Sequence, residues 1–231
     1  MERALDVGTS FLSTLLRLPS GLKVGALGRR PEQPLHLYEF EGCPFCRKAR
    51  EALTQLDLEA MIYPCPKGGS RYRDAVKSRG GKLQFPYLVD PNTGKEMYES
   101  DAIVRYLYET YGDGRVPVSL SLGTLTTLTA ALAGVPRGRS GVFCRESKPP
   151  ETPLELWSFE SSPYCRIARE KLCELEIPYR LHNVAKGSPR RDAFVTRSGK
   201  MQVPYLADPN TGVEMFESGD IAVYLDETYG A

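Results

Sequence analysis

Histidine is almost absent from this chain: His36 and His182 are the only two. Imidazole-built zinc centres and Ser-His-Asp triads both need histidine beside other specific side chains. Neither class is expected. A surplus of one charge is missing too, with 30 Lys and Arg against 29 Asp and Glu. A groove that neutralises phosphates needs a basic excess, so no nucleic-acid partner is expected. Nor is there an unbroken apolar run. The stretch between Arg115 and Arg137 carries no charge, but Pro117, Gly123 and Pro136 interrupt it and threonine and serine dilute it. Its length is near the roughly 20 residues of a membrane span. A buried or domain-bridging helix over about Leu120–Gly134 fits better, with a surface-bound amphipathic helix as the lesser alternative. Membrane contact is not expected.

Six cysteines are present, without the dense spacing of a secreted disulfide scaffold. A reducing intracellular compartment is the expectation, in which some thiols are buried and a few do chemistry. Near the start, Phe11–Leu18 has the apolar spacing of a helix face and is closed by Pro19 and Gly21. Charges at Glu2, Arg3 and Asp6 argue against a signal peptide.

The dominant feature is an internal repeat. Pro34-Leu-His-Leu-Tyr-Glu-Phe-Glu-Gly-Cys-Pro-Phe-Cys-Arg47 matches Pro153-Leu-Glu-Leu-Trp-Ser-Phe-Glu-Ser-Ser-Pro-Tyr-Cys-Arg166. Pro86-Tyr-Leu-Val-Asp-Pro-Asn-Thr-Gly94 matches Pro204-Tyr-Leu-Ala-Asp-Pro-Asn-Thr-Gly212, and Glu109-Thr-Tyr-Gly112 matches Glu227-Thr-Tyr-Gly230. A period this long means two domains in tandem. The division is 1–33 as a helical extension, 34–112 as the first domain, 113–152 as a linker and 153–231 as the second domain. Pro19-Ser-Gly21 and Pro136-Arg-Gly138 extend the match upstream, so each domain is preceded by a helix. The helix Phe11–Leu18 should then cover the first domain as the linker helix is placed against its own.

Within each unit the pattern is βαβ-αββα. Leu35–Phe40 alternates as a strand. Pro44 opens a helix running to Leu56. Ala60–Tyr63 is a second strand, parallel to the first through that crossover. Ser70–Ser78 reads as a short helix. Pro86–Val89 and Glu96–Tyr98 flank the Asp-Pro-Asn-Thr-Gly turn as a hairpin, and Ser100–Tyr111 closes the unit. The fold class is α/β: two tandem thioredoxin-like domains forming a pseudo-symmetric pair.

Cys43-Pro-Phe-Cys46 follows a strand and opens a helix, the setting in which C-x-x-C is a redox motif. The helix N-terminus favours a Cys43 thiolate, and Cys46, one turn on, can attack a mixed disulfide on Cys43. Half of a zinc site, or two inert buried thiols, are the alternatives; no clean second ligand pair is present. The second unit has Ser162-Pro-Tyr-Cys165, where a two-thiol cycle is impossible. Ser162 is either a plain helix cap or a hydroxyl able to hydrogen-bond a thiolate. Glu99-Ser100 and Glu217-Ser218 begin the closing helices, where an acid and a hydroxyl can hold an amine and a carboxylate, or merely cap.

These motifs resemble the N-terminal, glutathione-binding domain of glutathione S-transferases and its glutaredoxin relatives. The whole chain is similar to tandem two-domain proteins of plant and algal chloroplasts, which implies a chloroplast stroma location. The resemblance implies cis prolines at Pro86 and Pro204. The backbones of Phe85 and Val203 would hold the cysteinyl part of glutathione. Glu99 and Ser100, with Glu217 and Ser218, would hold its γ-glutamyl end, and Lys82 and Gln84, with Lys200 and Gln202, would lie near its other carboxylate. Cys43 would be the nucleophile, glutathione the cosubstrate, and glutathionylated or disulfide-bearing proteins the partners. Transferase-type conjugation through Cys43 or Ser162, a [2Fe-2S] cluster bridged by Cys43 thiolates and glutathione in a dimer, and a non-catalytic glutathione-binding scaffold are the alternatives. The all-helical domain that follows this domain in transferases has no counterpart in the sequence.

Overall fold

Alternating apolar residues put one set of side chains on each face of a strand, and both faces of this sheet are covered. The computed structural model describes residues 2–15, 20–25 and 27–231. An N-terminal helix, α1 (Glu2–Leu15), precedes the first unit. That unit comprises β1 (Leu35–Glu39), α2 (Pro44–Gln55), β2 (Ala60–Pro64), α3 (Arg73–Gly80), β3 (Tyr87–Asp90), β4 (Lys95–Met97) and α4 (Ser100–Tyr111). Two linker helices follow, α5 (Val118–Ser121) and α6 (Thr124–Gly134), with a 3-10 turn over Val135–Arg137. The second unit repeats the first: β5 (Leu154–Ser158), α7 (Pro163–Glu174), β6 (Tyr179–Asn183), α8 (Arg191–Ser198), β7 (Tyr205–Asp208), β8 (Val213–Phe216) and α9 (Ser218–Tyr229).

Each unit pairs its first two strands in parallel and adds the hairpin antiparallel. The two sheets are not separate. β2 pairs with β6 antiparallel, Ala60 against Leu181 and Ile62 against Tyr179, so eight strands run β4-β3-β1-β2-β6-β5-β7-β8. Leu35, Leu37, Ile62 and Leu88 pack with Ala52, Leu53 and Leu107 of α2 and α4, and this core continues into Leu154, Leu156 and Leu172 of the second unit. On the opposite face, Tyr38, Tyr87 and Val76 form a smaller cluster, matched by Trp157, Tyr205 and Phe194. Shared strands and a shared core fix the two domains as one pair.

The repeated Thr-Tyr-Gly has a structural job. Tyr111 and Tyr229 donate to the buried turn carboxylates Asp90 and Asp208 at 2.6 and 2.5 Å. Each closing helix is thereby pinned to its hairpin turn.

Three expectations are corrected. The short helix starts at Arg73 rather than Ser70, because the Ser70 and Arg71 N–H groups donate instead to the Glu176 carboxylate, each at 3.2 Å. The linker helix is broken at Gly123, whose φ of 54° is open mainly to glycine. Its burial is also partial: Thr126, Ala130 and Ala133 face inward, while Leu125, Leu128 and Leu132 are exposed. Finally, α1 does not cover the first unit. It packs on α7 of the second unit, with Ser10 Oγ donating to the Pro163 carbonyl at 2.7 Å and Phe11 edge-on to Tyr164. The linker helix α6 packs on α2 of the first. The leading helices are thus exchanged between units. The Leu16–Pro19 part of the expected first helix and its stop lies outside the described residues. No helix of the described residues is long and apolar enough to cross a membrane.

Candidate functional site

Proline at the first helical position and a side-chain acceptor just before it set the start of α2. Cys43 is that cap: its backbone is extended and its Sγ accepts the Cys46 N–H at 3.2 Å. Ser162 caps α7 in the same way, with Oγ accepting from Cys165 N at 3.2 Å. The helix-cap reading of Ser162 therefore describes its geometry. Cys43 and Cys46 are both buried.

The thiols differ sharply in acidity. Burial pushes Cys43 up, but hydrogen bonds from the Cys46 thiol and N–H outweigh it and hold Cys43 below the usual thiol range. Burial, then the hydrogen bond and charge of Cys43, push Cys46 well above it. Burial also raises Cys65 and Cys173, and pushes Cys144 up to about 11. Cys43 is the thiol prepared for ionisation, and Cys46 stabilises it at the cost of its own ionisation.

The Phe85–Pro86 and Val203–Pro204 peptides are both cis. Glu99 and Glu217, just before α4 and α9, adopt positive φ of 68° and 67°. The same unusual backbone in both copies of a non-glycine residue is the signature of a local constraint. Gln84 donates its amide to Glu99 at 2.6 Å, and Gln202 makes the same bond to Glu217. Lys82 and Lys200 lie over the Tyr98 and Phe216 rings, 4.8 and 4.3 Å from their centroids. In the second unit Tyr164, Gln202, Val203, Pro204, Glu217 and Ser218 line one cavity of about 320 Å³. In the first unit, Cys43 faces a different cavity, between the two domains and under α6.

The family model for the glutathione S-transferase N-terminal domain matches this chain twice, over residues 37–115 and 156–231. The chain belongs to this family. No curated protein matches the sequence. Among solved structures it is similar to a trimeric glutathione transferase from Leishmania, TDR1, at 13% identity with a TM-score of 0.29. That match covers 84% of this chain, and the chain spans 66% of that protein's length.

Both glutathione S-transferase N-terminal domains thus carry the cis proline and the strained glutamate. The sequence-derived residues of the second domain meet around one cavity, except Ser162 and Lys200, which are not part of its lining. Sequence reasoning missed the charged residues between the domains. Glu41, Arg50, Glu160 and Arg169 are buried and ion-paired across the junction. The available signal was the repeat itself, which keeps Glu and Arg unchanged at these positions in both copies. Among the described residues, no three His, Cys, Asp or Glu side chains converge on a metal position.

Proposed function

We propose that this protein is a glutathione-dependent thiol–disulfide oxidoreductase whose nucleophile is Cys43. The observation that carries the reading is the cap of α2. Cys43 combines a helix N-terminus with two donors on its sulfur, and its thiol is held low while those of Cys46, Cys65, Cys144 and Cys173 are pushed up. The Cys43 thiolate attacks the glutathionyl sulfur of a mixed disulfide, forms a Cys43–glutathione disulfide and releases the partner thiolate. A glutathione thiolate then attacks that disulfide, yields oxidised glutathione and restores the Cys43 thiolate. Glu99, Ser100 and the Phe85 backbone are the positions through which the family's glutathione would be held.

The test is reduction of a glutathionylated peptide, coupled to glutathione reductase. Cys43→Ser should bring the rate to background. A rate equal to wild type would overturn the reading.

The cavity of the second domain favours a further role for it: glutathione bound without redox chemistry, since Ser162 replaces the nucleophile. Equilibrium binding of glutathione to a Cys43→Ser/Glu99→Ala variant, in which the first domain's site is disabled, and its loss on adding Glu217→Ala, is the expected result.

A further inference from the structure

The junction between the domains holds a cavity of about 270 Å³ into which Cys43 faces. Its walls carry four guanidinium groups and three carboxylates, drawn from both domains. Three of the arginines are paired. Arg50 meets Glu160 at 2.9 Å and Glu41 at 3.3 Å. Arg47 meets Glu51, four residues on, at 3.3 Å. Arg137 takes both Glu170 and Asp6.

Arg166 is the exception. It is 3% exposed, its Nη1 donates to the Ser10 carbonyl at 3.0 Å, and its Nη2 has no hydrogen-bond partner. The repeat explains why. Arg166 is the counterpart of Arg47, and Glu170, its natural partner four residues on, is the counterpart of Glu51. The second domain's leading segment, however, has Arg137 where the first has Ser20. Arg137 draws Glu170 away and leaves one buried cation short of a carboxylate. Burial, with Arg47 near by, lowers the Arg166 guanidinium to about 10. A buried donor without a partner is costly and rare, and this one belongs to a side chain that lines a cavity.

We propose that this cavity binds a small carboxylate through Arg166, in the same space that Cys43 faces. The unpartnered Nη2 can take one carboxylate oxygen, whereas a phosphate dianion would crowd the three glutamates of the wall. The planar guanidinium also suits a carboxylate. Glu160 Oε1 in the same wall lacks a hydrogen-bond partner, although Arg47 Nε stands 3.7 Å from it. A hydroxyl or N–H beside the ligand's carboxylate would meet it. The second domain then contributes a substrate-selecting residue to the first domain's nucleophile. The inference rests on the reading of Cys43 given above.

Iodoacetate and its neutral analogue iodoacetamide test both separately. With either, the Cys43 thiolate forms a sulfur–carbon bond as iodide leaves with the carbon–iodine electron pair; only iodoacetate carries a carboxylate. The ratio of the two rates at Cys43, read by mass spectrometry, is independent of how nucleophilic the thiol is. In the wild-type protein that ratio should exceed the ratio for free glutathione by about tenfold, the effect of one charge-assisted hydrogen bond. Arg166→Gln should return it to the free-glutathione value. Added acetate should slow iodoacetate labelling of the wild-type protein while propionamide does not, an arm that needs no variant. A wild-type ratio equal to that of glutathione, with Cys43 reactive to both reagents, overturns the anion site alone. Failure of both reagents at Cys43 overturns the nucleophile reading and this proposal with it.

Discussion

Arg50 of the first domain donates through Nε to Glu160 of the second at 2.9 Å, while Arg169 of the second donates through Nε to Glu41 of the first at 3.0 Å. The two pairs are the same repeat positions, used reciprocally. All four side chains are buried. Ion pairs this deep gain little net stability, because desolvation offsets their attraction, but leaving one partner behind is expensive. Their geometry makes the relation of the two domains specific.

Arg50→Met should therefore destabilise the protein by about 3–5 kcal/mol, since it strands the buried Glu39 and takes one of their cations from Glu41 and Glu160, which keep Arg169. Adding Glu39→Gln to that variant should recover part of the loss. Chemical denaturation of the two variants checks this. A loss within about 1 kcal/mol would place the pair among exposed, weak ones.

Acid should loosen the junction. Burial pushes Glu59 up, but hydrogen bonds from His182 and Arg180 outweigh it and hold it down to about 2. Glu160 is likewise held to about 2, where Arg169, Arg50 and Arg47 overcome burial. A carboxylate lowered in the folded state stabilises it above the unfolded value, and that contribution drains away as pH falls toward the folded value. The window is from about 4.5 down to about 2. Glu39 acts in the opposite sense, since burial raises it to about 7, but only between those two values, above this window. Melting temperature should fall steadily below pH 4.5, and Glu59→Gln should flatten that fall. An unchanged acid slope in the variant would contradict the assignment.

Cys46→Ser should keep most of the deglutathionylation rate. The Cys46 thiol is fully buried and its ionisation is suppressed, so it is a poor resolving nucleophile. Its backbone N–H still donates to Cys43 in the variant. A rate as low as that of Cys43→Ser would show that Cys46 resolves the mixed disulfide.

Much of this fold is written locally. The repeat, the order of strands and helices, the Asp-Pro-Asn-Thr-Gly hairpins and the proline-marked start of α2 all depend on neighbours in sequence. The cis peptides at Pro86 and Pro204 follow from family resemblance, as composition alone gives X-Pro no such preference. What could not be read depends on distant partners. Periodicity shows that Phe11 belongs to an apolar helix face, not that the face meets Tyr164 of the other domain. Arg50 and Arg169 sit on helices where charge usually marks the solvated side, and only the paired sheet edge at Ile62 and Tyr179 brings opposite charges to them. Gly123 reads as dilution of an apolar run, whereas its positive φ breaks the helix.

Tyr229→Phe should cost about 1.5–3 kcal/mol, the range for a hydrogen bond to a charged group. The variant removes one donor from Asp208, which Tyr224 also bonds at 2.7 Å. Thermal unfolding reads the change, and Tyr111→Phe should match it in the first domain. No change in either variant would mean that the repeated tyrosines serve only as apolar packing.

The central claim is that Cys43 takes up the glutathionyl group. The most direct measurement is peptide mapping by mass spectrometry after brief exposure of the Cys46→Ser variant to a glutathionylated peptide, with no free glutathione present. The account predicts a glutathione adduct on Cys43 and release of the peptide thiol in equal amount. An adduct on Cys65, Cys144 or Cys173, or an unmodified protein, would contradict it.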